Sequence, residues 1–255
     1  MRPFHRMLTR AAGLLLPVLA AWSPALVAGE FAILPLRIGL DAATRAAEVV
    51  VRNDDKQPLR MQVEAMSWRQ DAEGRDRYEP AEGLIYFPRA LEVPPGETRI
   101  VRLGIRAAPV SREETYRLFL EELPPPEQAA APSGATLRVL LRVGVPVFVA
   151  PARIERRGEI ASLEMKSAQV HAAVANGGNA HFAADRLELA ALARDGTRLH
   201  AHQFQDRYFL AGVVKRLRTD IPRELCPQVA ALELSVVGEN VDLRRKVDVA
   251  VNSCN

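Results

Sequence analysis

The sequence predicts an all-β protein, and two observations carry that prediction. Short apolar or alternating segments recur along the chain, each closed by a cluster of turn residues. Before residue 150 no stretch keeps a 3.6-residue period between helix caps. Regular short strands between turns define an antiparallel sandwich or barrel. With 255 residues, 48% of them apolar, the chain has room for two cores.

The chain opens with an export pattern. Arg2, Arg6 and Arg10 lead into an uncharged apolar run, residues 11–22, that contains Leu14, Leu15 and Leu16. The run is too short to span a bilayer as a stable helix. Small residues follow at Ala25, Ala28 and Gly29, so residues 1–28 read as a cleaved signal, with a buried N-terminal helix as the alternative. No later segment is long and apolar enough to cross a membrane.

Strands follow in series. Residues 47–52 (AEVVVR) are β-branched and end at the turn residues Asn53, Asp54 and Asp55. Residues 61–68 (MQVEAMSW) alternate, with Met61, Val63 and Ala65 on one face. Residues 100–105 (IVRLGI) come after Pro94, Pro95 and Gly96, and residues 116–123 (YRLFLEEL) stop at Pro124. A proline- and alanine-rich loop then precedes a fifteen-residue strand pattern over 135–149 (ATLRVLLRVGVPVFV). Leu137, Val139, Leu141, Val143 and Val145 share one face of it, and Arg138 and Arg142 the other. Pro146 cannot donate to a ladder, which places at least that part at an edge or a bulge. A boundary near Pro151 divides the chain into 29–150 and 151–255. In the second half, residues 169–175, 187–192, 235–237 and 246–251 are strand candidates, and residues 176–179 (NGGN) form a strong turn.

Composition argues against several functions. Lys+Arg total 34 against 31 for Asp+Glu, and aromatics are 5%, so neither a basic patch nor a base-stacking platform is indicated. No nucleophile elbow, zincin motif, P-loop or C-x-x-C is present. His200 and His202 would share a strand face and with Asp206 make a candidate metal-ligand set, although solvated or half-buried histidines account for them more simply. The two cysteines, Cys226 and Cys254, suggest a disulfide in an exported chain, with two buried thiols as the alternative.

The apolar row at 137–145 is the informative feature. It reads either as an ordinary core strand or as an exposed edge that lends both ladder bonds and apolar side chains. It is too long for one sandwich, follows a proline- and alanine-rich segment and is charged on its other face. Proteins avoid exposing such edges, so an exposed one argues for use.

These segments resemble the chaperones of the chaperone–usher pilus pathway. The resemblance is carried by residues 33–41 (ILPLRIGLD), Asn53, residues 86–103 (YFPRALEVPPGETRIVRL), residues 116–124, the strand over 137–149 with Phe148 and Pro151, and residues 174–182 (VANGGNAHF). The ending VPVFV over residues 145–149 is similar to the archaic, spore-coat-U-like subgroup. The resemblance implies two immunoglobulin-like sandwiches in an L-shaped arrangement, the mode of strand donation that this family typifies. It implies a periplasmic location, no catalysis, no cofactor and no metal. Its partners would be pilin subunits and an outer-membrane usher, and an open edge also permits self-association. Leu137, Val139, Leu141 and Val143 would fill a pilin groove, while Arg37 would hold the pilin C-terminal carboxylate, a task suited to a guanidinium. The family's second anchor, a lysine, aligns with Pro146, and Arg117 is the expected substitute, with Arg142 a weaker one. An exported adhesin or accessory binding module is the alternative.

Overall fold

The computed structural model describes residues 30–71, 73–107, 109, 111–124, 139–250 and 253–254. The expected signal at 1–28, the proline-rich loop and Leu137 lie outside these residues. The fold is all-β: nineteen strands and one 3₁₀ turn are described, arranged as two immunoglobulin-like sandwiches.

The first sandwich takes ten strands in chain order: β1 (Phe31–Leu34), β2 (Ile38–Leu40), β3 (Ala46–Asn53), β4 (Leu59–Gln70), β5 (Asp76–Pro80), β6 (Leu84–Phe87), β7 (Ala90–Val93), β8 (Thr98–Ile105), β9 (Glu114–Glu122) and β10 (Arg142–Val149). One sheet runs β1-β3-β8-β6, and the other β2-β10-β9-β4-β5, with β7 also on β4. Period-two alternation puts Met61, Val63 and Ala65 of β4, Leu118 and Leu120 of β9, and Val145, Val147 and Val149 of β10 into one buried core. Both edges are closed by a segment that changes sheets at a cis proline. The first segment pairs as β1 with β3, passes Pro35, and pairs as β2 with β10; the other pairs as β6 with β8, passes Pro88, and pairs as β7 with β4.

The second sandwich holds β11 (Gly158–Lys166), β12 (Gln169–Asn176), β13 (Phe182–Ala183), β14 (Arg186–Leu192), β15 (Arg198–Gln203), β16 (Tyr208–Phe209), β17 (Val214–Asp220), β18 (Ala231–Gly238) and β19 (Val241–Asp248). Sheets β11-β12-β17 and β15-β14-β18-β19 enclose a separate core built on Phe182, Phe209, Leu189, Leu232 and Leu234. A disulfide joins Cys226, in the 3₁₀ turn Cys226–Gln228, to Cys254.

The two sandwiches share one buried device. Asn53, at the end of β3, donates to the carbonyls of Gln57 and Val93. Asn176, at the end of β12, donates to those of Ala180 and Phe209. Each also accepts the amide two residues on. A buried amide side chain that satisfies loop carbonyls in this way rigidifies the turn.

The strand candidate at 246–251 needs correction: β19 begins at Val241, because Val241 pairs with Gly238 across a tight turn, and it ends at Asp248. The strand expected from residue 135 is described only from Arg142, and residues 139–141 precede it, with the Leu141 carbonyl still bonded to Glu122 of β9.

Candidate functional site

Strand β10 has two unlike halves. Val147, Val149 and the intervening Phe148 lie between two neighbours, β9 on one side and β2, running parallel, on the other. From Arg142 to Pro146 only β9 is paired, and no described strand lies on the other flank. The Leu141 carbonyl accepts the Glu122 amide of β9, and the Ala150 amide donates to Leu40 of β2. Alternation therefore turns the N–H and C=O groups of Arg142 and Gly144 outward on the open flank. Pro146 adds no N–H there.

Side chains follow the same division. Val145, Val147 and Val149 are buried, Val143 is half-buried, Leu141 is 44% exposed and Val139 is 69% exposed. All occupy the inward-facing alternation of one strand direction. The apolar row thus starts as the domain's own core and emerges from it. The opposite face is packed: Phe119 meets Tyr78 edge-on, and Arg142 lies 4.1 Å over the Phe119 ring. Arg142 also pairs with Glu121 and Glu64, so it is engaged on its own sheet.

The two expected anchor arginines flank Pro146. Arg117 of β9 stands opposite Pro146, and Arg37 immediately precedes Ile38, which stands opposite Val147. Their environments differ. The Arg117 side chain is 16% exposed, with its guanidinium 3.9 Å over Trp68, and its Nη1 donates to the Gly144 carbonyl at 3.1 Å. That contact caps one of the outward carbonyls of β10. Gly144 also leaves room for the Phe119 ring, which a Cβ there would meet at 2.9 Å. Arg37 is 46% exposed and extends to Glu239, in the turn between β18 and β19 of the second sandwich.

The sandwiches meet around these residues. Trp68, Phe148 and Leu210 form a small buried cluster with the half-buried Tyr208 packed against it, and His181 stacks on Phe148 at 3.5 Å. The His181 ring Nδ1 lies 2.8 Å from the buried Glu113 carboxylate, which also accepts the His181 amide. The Gln70 amide donates to the Tyr208 carbonyl and its oxygen accepts the Leu210 amide. Gly74, with φ +80°, lets the β4–β5 turn lie on the Lys215 side chain. Asp71 caps that turn. Burial raises its pKa, but the Arg75 amide and the Arg75 and Arg77 guanidiniums outweigh this and hold it at about 2. A cleft of about 680 Å³ remains, lined by Trp68, Asp76, Arg117, Arg207, Tyr208 and Lys215.

The candidate metal set is not assembled. Asp206 pairs with the buried Lys215 at 2.7 Å, while His202 packs edge-on against Phe204. Among the described residues no three His, Cys, Asp or Glu side chains are grouped to hold a metal ion. Sequence reasoning missed Glu239, Gly144 and the Trp68–Phe148–Tyr208 junction. Glu239 is a lone acid in a turn and carries no periodic signal, and the junction joins residues 60 to 140 positions apart in the chain.

An immunoglobulin-like sandwich with a half-paired strand beside an interdomain arginine, joined to a second such sandwich, defines a class of two-domain β proteins. Residues 30–155 match the family described as pili and flagellar-assembly chaperone, PapD N-terminal domain, and this part of the chain belongs to that family. No curated protein is similar enough in sequence to match. Solved structures share the fold across both domains. The CsuC–CsuE chaperone–tip subunit pre-assembly complex from the archaic chaperone–usher Csu pili of Acinetobacter baumannii matches with a TM-score of 0.59 at 18% identity, covering 86% of this chain and 98% of that one. The Salmonella enterica SafA pilin in complex with the SafB chaperone gives 0.57 at 13% identity, covering 88% and 99%. The Pseudomonas aeruginosa CupB2 chaperone gives 0.53 at 16% identity, covering 86% and 100%. At these identities the likeness establishes the fold.

Proposed function

We propose that this protein is a periplasmic chaperone that lends β10 and the residues before it to an incomplete pilin sandwich and hands the subunit to an outer-membrane usher. The observation that carries this reading is the flank of Arg142–Pro146 on which no described strand pairs, with Leu141 and Val139 exposed just before it. A partner lacking a strand gains ladder bonds from Arg142 and Gly144 and an apolar row from Leu137, Val139, Leu141 and Val143. Each such side chain, once fully buried, contributes roughly 1.5–3 kcal/mol. Arg37 takes the pilin C-terminal carboxylate and so fixes register, with Arg117 supplying a second positive charge behind Pro146. The step is stoichiometric binding and requires no cofactor. The archaic subgroup is supported by residues 145–149 and by the likeness to the Csu chaperone. A division at residues 150 and 151 assigns pilin binding to the first sandwich.

Periplasmic co-expression with a pilin lacking its own donor extension tests this. Wild-type chaperone should co-purify with the pilin. Asp at Leu137, Val139 and Leu141 together should abolish capture while the far-ultraviolet spectrum is unchanged, and Arg37→Ala should reduce it at least tenfold. Undiminished capture by the triple variant contradicts strand donation.

A further inference from the structure

In the free protein Arg37 already holds a carboxylate. Both its Nη atoms donate to the same oxygen of Glu239, Oε2, at 3.1 and 3.2 Å. We propose that Glu239 is a placeholder: it occupies the Arg37 guanidinium until the C-terminal carboxylate of a pilin displaces it. This rests on the proposed function and names a further residue that sets how tightly the site takes its partner.

Three features support it. First, Glu239 comes from the other sandwich, 202 residues away, so the pair bridges the two domains at the point where a bound chain end would lie. Second, the pair can be broken at little cost. Arg37 and Glu239 are 46% and 61% exposed, and such pairs are weak. The Lys215–Asp206 pair in the same junction differs, because its lysine is buried and could not be released without leaving a charge behind. Third, the exchange is like for like: one carboxylate leaves the guanidinium as another arrives, so hydrogen bonding is conserved. The tethered Glu239 competes at the high local concentration of an intramolecular ligand. It holds the fork of Arg37 across the cleft in the meantime, and its release loosens one tie between the domains when a subunit is captured.

The prediction has a definite sign. Removing the competitor should tighten binding by about two- to fivefold, the range expected for an exposed ion pair. The probe is the pilin co-purified above, in two forms: one with its own C-terminus, the other with a hexahistidine extension that moves the carboxylate away. Glu239→Gln should bind the native form about two- to fivefold tighter than wild type, and Glu239→Lys tighter still. The extended form should bind wild type and Glu239→Gln equally. Weaker binding by Glu239→Gln, or an equal gain with the extended form, overturns the placeholder. If wild type captures no pilin, the proposed function itself fails. If capture depends on Arg37 but is indifferent to Glu239→Gln, only the placeholder fails. Thermal unfolding of each free variant shows that it is folded.

Discussion

β10 and the residues that lead into it keep one sequence pattern and meet opposite fates. Val145, Val147 and Val149 continue the alternation of Val139, Leu141 and Val143, yet the first three are sealed and the outermost two are exposed. Burial of the side chains reaches further than pairing on both flanks, since Val145 is sealed although only β9 pairs there. Three residues of β2 pair with Val147, Phe148 and Val149, and beyond Ile38 the chain has left for the other sheet. Where β2 stops, no other described strand takes its place. How much of an alternating apolar strand is paired on both flanks therefore depends on how far its second neighbour reaches, a property of topology that the strand's own residues do not encode.

Substitutions can break this comparison at successive points. The largest effect on the free protein is expected at the sealed half. Val147→Asp puts an unpaired charge where nothing is exposed and should cost about 3–5 kcal/mol in denaturant unfolding. The boundary should be intermediate: Gly144→Val drives a side chain into Phe119 and displaces Arg117 from its carbonyl, at about 1–3 kcal/mol by the same measurement. On the open half, Leu141→Asp should change stability by only about 0.5 kcal/mol while lowering pilin capture sharply. A control away from the strand sharpens the contrast. Asp71 has a lowered pKa when folded, so its contribution is present above the unfolded value of 3.8 and is lost as pH falls towards about 2. Stability measured across that window should fall less steeply in Asp71→Asn, with capture at neutral pH unchanged.

Much of the first sandwich was legible. Alternation gave β4 its inward Met61, Val63 and Ala65, and turn residues marked the ends of β3 and β9. The strands that escaped have physical reasons. In β11 a bulge between Ile160 and Ser162 breaks the period, and in β19 Arg244, Arg245 and Lys246 mask a strand whose partner face is solvated. β2 and β13 are too short to show a period at all. The apolar row of the site was visible, as was Arg37. What covers Arg37 was not, because Glu239 reaches it only through the packing of one sandwich on the other.

Amide hydrogen exchange along β10 tests the central claim most directly. In the free protein the outward amides of Arg142 and Gly144 should exchange fast, while Ala150, bonded to Leu40, exchanges slowly. With a pilin bound, Arg142 and Gly144 should become slow and Ala150 should not change. Slow exchange of Arg142 and Gly144 in the free monomer, or no protection on binding, would contradict an open strand lent to a partner.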